Sequence, residues 1–131
     1  MTPGGDDAQS VDLELVETAP ATARRVAEEA VAHWSLDVDL DVLRLLVSEV
    51  VTNAVRYARD GGHLRLVLRR APGVLRVEVH DGSALLPMVR EAQDDEEGGR
   101  GTALMAALAA RWDAEAHADG GKAVWFEVPS G

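Results

Sequence analysis

Hydrophobic positions along the chain recur with two different periods. Val11, Leu13 and Leu15 alternate with Asp12, Glu14 and Val16, the period-two pattern of a half-buried strand over 11–17. After Pro20, the residues Ala23, Val26, Ala27, Ala30, Val31 and Trp34 recur at spacings of three and four. Arg24, Arg25, Glu28, Glu29 and His33 fill the other side, so 21–34 reads as an amphipathic helix. Several capping residues follow in 35–41. Leu43, Leu46, Val47, Val50, Val51, Ala54, Val55 and Ala58 then predict a longer helix, which Gly61 and Gly62 end. Leu64, Leu66 and Leu68 in 63–70, and Leu75, Val77 and Val79 in 74–80, alternate on either side of Ala71-Pro72-Gly73 and predict an antiparallel hairpin.

Beyond Asp81 the period lapses for about twenty residues, and a stretch of that length inside a compact domain is expected to be a functional lid. It spans about 83–100, passing Pro87 and the acidic run Asp94-Asp95-Glu96-Glu97 before Gly98-Gly99-Arg100-Gly101. Residues 102–112 read as an Ala/Leu/Met helix, and 114–118 and 122–128 as strands joined by Asp119-Gly120-Gly121. The first ten residues carry no apolar period, so 1–10 is expected to be a flexible tail and 11–131 the domain. Strands paired as hairpins, with the helices gathered apart from them, predict an α+β two-layer sandwich. Its sheet would be mixed but mostly antiparallel, with three helices on one face.

Composition narrows the classes. The 131 residues suit one domain, and 47% hydrophobic with 27% charged residues is the balance of a globular chain, not a disordered one. The absence of cysteine removes disulfides, thiolate metal sites and cysteine nucleophiles. Thirteen Lys and Arg against 23 Asp and Glu give a net charge of −10, which argues against coating nucleic acid or anionic lipid. Any anionic ligand has to be held locally. No apolar run approaches the roughly 20 residues of a membrane span and no leader pattern opens the chain, so a cytoplasmic location is expected. Lys122 is the single lysine beside twelve arginines, and isoleucine is absent, a pattern that fits the codon bias of a high-GC bacterial genome.

Three features could carry chemistry. Glu49 and Asn53 lie one turn apart on a flank of the long helix, beside its apolar stripe, where a pocket wall would run. Asn53 is the only asparagine, and asparagine is a poor mid-helix choice, although a solvent-facing Asn beside a helix-favouring Glu accounts for the pair equally well. Gly98-Gly99-Arg100-Gly101-Thr102 runs straight into a helix, where free N–H groups and the helix dipole favour phosphate; glycine-rich linkers before helices are also common. Asp81 ends a strand, where its carboxylate could accept a hydrogen bond from the exocyclic amine of adenine, or merely begin an Asp-Gly turn. The acidic run before the glycines reads as a solvated lid or as a device that repels an anionic ligand. His33, His63, His80 and His117 show no metal-ligand spacing and read as ordinary surface or edge residues.

In this order and spacing, Glu49-x-x-x-Asn53, Asp81, a lid and Gly99-Arg100-Gly101 at a helix start resemble the Bergerat-fold (GHKL) ATP-binding superfamily of histidine kinases, gyrase, chaperones and mismatch-repair ATPases. Leu46-Val47-Ser48-Glu49-Val50-Val51-Thr52-Asn53, Asp81-x-Ser83 with Pro87, Gly98-Gly99-Arg100-Gly101 and Gly121-Lys122-Ala123-Val124-Trp125-Phe126 resemble its single-domain anti-sigma-factor serine/threonine kinases. The resemblance implies ATP and Mg²⁺ as cofactors, with Asn53 as metal ligand and Glu49 as the base that activates a serine hydroxyl. It implies nucleotide contacts from Asp81, Ser83, Gly98, Gly99, Arg100, Gly101 and Thr102. The partners it implies are a sigma factor, an anti-sigma antagonist, or both, with a possible homodimer and no direct nucleic acid or membrane contact. One departure is plain: where the family carries Asp-x-Gly-x-Gly, this chain has Asp81-Gly82-Ser83-Ala84-Leu85. The rival reading is a module of the same fold that sequesters a protein partner without turning over ATP. The catalytic half of a histidine kinase fits less well, because no segment is left for a helical hairpin bearing the phosphoacceptor.

Overall fold

The computed structural model describes residues 7–56, 62–81, 105, 107–116 and 121–131. In chain order the elements are β1 (Ala8–Glu14), α1 (Ala19–Trp34), α2 (Leu40–Arg56), β2 (His63–Ala71), β3 (Val74–Asp81), β4 (Arg111–Ala116) and β5 (Lys122–Pro129). The strands form one sheet in the order β1-β2-β3-β5-β4, and every neighbouring pair is antiparallel.

Connectivity explains the absence of parallel pairing among these strands. Between β1 and β2 the chain makes two helices, not one. Arg24 Nη1 donates to Ser48 Oγ at 2.8 Å and Arg44 Nε to Glu28 Oε2 at 2.8 Å. As the α1 number rises from 24 to 28 its partner in α2 falls from 48 to 44, so the helices run antiparallel. An antiparallel pair returns the chain to the end of the sheet it left, and the next strand has to run back. β2 and β3 are joined through Pro72-Gly73, where Pro sets its own φ and Gly73 takes the left-handed value of +77° that a side chain resists.

The core lies between the helices and one face of the sheet. Ala23, Ala27 and Ala30 of α1, small enough to let the helices approach closely, are buried with Leu43, Leu46, Val47, Val50 and Val51 of α2. They pack with Leu64, Leu66 and Leu68 of β2, Leu75, Val77 and Val79 of β3, and Val124, Phe126 and Val128 of β5. Burying each large side chain contributes about 1.5–3 kcal/mol, and the alternation of all three strands fixes their register. Asp39 caps α2: its Oδ1 accepts from the N–H groups of Asp41 and Val42 at 3.1 and 3.2 Å.

Several boundaries differ from expectation. β1 begins at Ala8 and ends at Glu14, so 8–10 are not tail but strand, paired with Arg69, Leu68 and Val67 of β2. The helix expected over 102–112 does not reach Trp112. Residues 105 and 107–108 are helical, and β4 has begun by Arg111. Ala110 N–H donates to Glu127 O at 2.8 Å and Trp112 pairs with Phe126, so pairing with β5 overrides the helix preference of the alanine run. Among the described residues the sheet is covered by α1, α2 and the helical residues 105, 107 and 108. The sandwich itself, helices on one face of an antiparallel sheet, is as the pattern predicts. The expected lid at 83–100, residues 1–6 of the tail and residues 57–61 lie outside the described residues.

Candidate functional site

Three flanks of α2 do different work. At about 100° per residue, Leu43, Leu46, Val47, Val50 and Ala54 point to the sheet, and all are buried. Arg44 and Ser48 lie on the flank that bonds to α1. Glu49 and Asn53 fall on the opposite flank, both half-buried. That flank looks along the sheet toward β5, away from α1. Of the two flanks, the one away from α1 carries both candidate polar residues.

Asn53 joins Asp81 in one cleft. Val50, Asn53 and Ala54 of α2, Val79 and Asp81 of β3, Lys122 and Val124 of β5, and Met105 line it together. Parity explains the convergence. Residues 75, 77, 79 and 81 of β3 share the core face, as do 122, 124, 126 and 128 of β5, and Asp81 pairs directly with Lys122. The core face thus ends, at this edge of the sheet, in one acid and one base. Lys122 Nζ lies 4.0 Å from Asp81 Oδ2, and the two side chains are only 6% and 3% exposed. Burying either charge alone would be costly, and each offsets that cost for the other. Apolar walls with a few convergent polar groups are the chemistry of a small-molecule site.

Glu49 stands apart. It shares the flank of Asn53 one turn earlier, about 6 Å along the helix, but does not line the cleft. Ser83, Gly98, Gly99, Arg100, Gly101 and Thr102 lie outside the described residues. Lys122 and Met105 escaped the sequence argument. The signal for Lys122 was present: the only lysine of the chain stands at an inward position of a strand whose other inward residues are Val124, Phe126 and Val128.

The face of the sheet turned away from α1 and α2 has a different chemistry. Glu78 accepts hydrogen bonds from Arg69 Nε at 3.0 Å and Arg76 Nε at 2.8 Å, and its Oε1 lies 2.8 Å from His80 Nε2. Burial would raise the Glu78 pKa, yet the hydrogen bonds from His80, Arg76 and Arg69 outweigh it and hold the carboxyl below its ordinary value. Arg76 stacks 3.9 Å from the Trp125 ring centroid and also faces Glu127 at 3.5 Å. His80 is therefore part of a structural network and not an ordinary edge residue. Among the described residues there is no cluster of three or more His, Asp or Glu placed to hold a metal ion.

A two-layer α+β sandwich whose core face ends in a cleft holding Asn53, Asp81 and Lys122 is the architecture the chain presents for comparison. The chain matches the family model for the histidine kinase-like ATPase domain over residues 14–128, and it belongs to that family, whose fold binds ATP. Comparison with curated proteins returned no match. No helix among the described residues is long and apolar enough to cross a membrane.

Proposed function

We propose that this protein is an ATP-dependent regulator similar to the anti-sigma-factor serine/threonine kinases. In this reading it transfers the γ-phosphate of ATP to a serine of an anti-sigma antagonist, sequesters a sigma factor, or does both. The observation that carries the reading is the cleft that unites Asn53 with Asp81, with Glu49 on the same helical flank one turn away. Asp81 is the acceptor for the exocyclic amine of adenine. The amide oxygen of Asn53 is a hard ligand suited to Mg²⁺, which keeps several waters and phosphate oxygens and so needs few protein ligands. Glu49 takes the proton of the serine hydroxyl as that oxygen bonds to phosphorus, and ADP departs with the bridging oxygen. Residues 98–102 supply phosphate-binding amides by the motif they share with the family.

Incubation with labelled ATP, Mg²⁺ and a candidate antagonist tests the catalytic half. Label on a serine that disappears with Glu49→Ala supports transfer, and absence of label with the wild-type protein overturns it. The second reading, sequestration without catalysis, draws on Ser83-Ala84-Leu85 standing where the family carries glycines. Under that reading the protein captures its partner with equal strength with and without ATP.

A further inference from the structure

Leu45 is a large apolar side chain in a place where the fold has no use for one. It is 41% exposed, and the other exposed large hydrophobic residues among those described stand at the edges of elements, Val16 in the turn before α1 and Leu40 at the first position of α2. Leu45 alone lies inside a helix. At about 100° per residue it points roughly 150° away from the mean direction of Leu43, Leu46, Val47, Val50 and Ala54, so it contributes nothing to the core that those residues build. A single exposed leucine is ordinary on a protein surface. Its neighbour sets this one apart.

Glu49 stands one turn further along, about 40° round the helix from Leu45. It is half-buried and, unlike Glu28 and Asp41, which both meet Arg44, it makes no hydrogen bond or ion pair with another described residue. As the base for a serine hydroxyl it needs that hydroxyl to arrive from another protein, and several directions are closed. The sheet lies beneath α2, α1 covers one flank, and the cleft of Asn53 and Asp81 occupies the next turn toward the helix C-terminus. Among the described residues, the approach that is left crosses the solvent side of the preceding turn. Leu45 stands there with half-buried Val42 beside it.

We infer that Leu45 is a specificity-determining residue for the protein substrate, packing against a large apolar side chain close to the phosphoacceptor serine. The inference rests on the phosphoryl-transfer reading above. Side chains one helical turn apart are about 5–6 Å apart at Cβ, and alternate residues of an extended chain lie on one side at about 6.5 Å. With its serine at Glu49, an extended substrate segment therefore sets the residue two positions away over Leu45. The substrate class is a segment in which serine and a leucine-like residue stand two apart. A charged residue at that position would lose water against Leu45 and Val42 without gaining a partner.

Synthetic peptides of about nine residues with a central serine, varied at one position at a time, test this with the full chain, labelled ATP and Mg²⁺; peptides so short do not hold a helix in water. On one side of the serine, kcat/KM should be about tenfold higher with Leu, Met or Phe two residues away than with Asp or Lys there, and the difference should lie in KM. Leu45→Lys puts a good helix former at an exposed position and should turn the preference toward Asp and Glu at the same place in the peptide. Its ATP affinity by calorimetry should stay within about twofold of wild type, because Leu45 does not line the cleft. Leu45→Ala, the milder change, covers the case in which the lysine variant does not fold, and it should lose the preference without reversing it. Labelling that is indifferent to the residue two places from the serine overturns the inference and leaves the transfer reading intact. So does an apolar preference that survives unchanged in either variant. A wild-type protein that labels none of the peptides overturns both readings.

Discussion

Strand β3 carries two carboxylates three residues apart that face opposite sides of the sheet. Glu78, on the side away from α1 and α2, meets Arg69, Arg76 and His80 at 2.8–3.0 Å. Asp81, on the core side, faces Lys122 at 4.0 Å in a cleft lined by Val50, Asn53, Ala54, Val79, Val124 and Met105. Both are acids among β-formers, yet their surroundings assign them different work. Short contacts from two guanidinium groups and an imidazole tie Glu78 into the sheet. Asp81 lies beside Asn53 among apolar walls, the place that the proposed ATP reading gives to the base. The face of the sheet and the company on it set the two acids apart, where burial alone does not.

The sharpest way to break that contrast is to remove a cleft residue and look for a cost in stability. Asn53→Ala puts the best helix former in place of a poor one, so the protein should be as stable as the wild type or more stable by about 0.5 kcal/mol. Under the proposed function, in which Asn53 holds Mg²⁺, binding of ATP in the presence of Mg²⁺ should fall by about a hundredfold. Calorimetry and a thermal melt on the same sample check both halves. A large loss of stability with unchanged ATP affinity would make Asn53 structural and remove the cleft's claim to function.

The reciprocal change is Glu78→Ala. It leaves Arg69, Arg76 and His80 facing one another without their shared anion, on a face where the Arg69 side chain is 52% exposed and solvent screens part of the repulsion. A loss of about 1–3 kcal/mol follows, which lowers Tm by roughly 5 °C or more. ATP affinity should change by less than about twofold, because Glu78 points away from the cleft. If affinity falls with stability, the two faces are coupled through β3 and the separation drawn above is wrong.

Much of this arrangement was legible in the sequence. Period-two and period-3.6 patterns located both helices and the hairpin, because each of these has one face more buried than the other, and the apolar run of β5 marked a strand buried on both faces. Glu49 and Asn53 stood out as polar residues beside an apolar stripe, and their flank is the one that α1 leaves open. Two things were not legible. The end of the helix before Trp112 depends on pairing with Phe126 across the sheet, which no local pattern of alanine and leucine reveals. The partnership of Asp81 with Lys122 depends on strand order: β3 and β5 are neighbours although β4 lies between them in the chain. Parity within β5 marked Lys122 as inward-facing, but only the register sets it opposite Asp81. The network on the face away from α1 and α2 was hidden for the same reason, since Arg69, Arg76 and Glu78 converge only once β2 and β3 are paired.

A smaller effect separates the two acids by pH. The carboxyl of Glu78 is held below its ordinary value in the folded protein, against the pull of burial, by His80, Arg76 and Arg69. A group whose pKa is lower when folded than when unfolded stabilises the fold above its unfolded value, and that stability fades as pH falls through the folded value. The contribution is therefore complete at neutral pH and begins to disappear below the ordinary glutamate range, near pH 4–5. Glu78→Gln keeps the shape and does not titrate. Its Tm should lie below that of the wild type at pH 7, and the gap should narrow steadily between about pH 5 and pH 3 as the wild type alone loses the interaction. Asp12 and Glu28 are held low by Arg65 and Arg44 in both proteins, so their acid losses cancel in the comparison. A gap of constant width down to pH 3 would mean that Glu78 owes its place to shape and not to charge, and the contrast with Asp81 would then rest on the cleft alone.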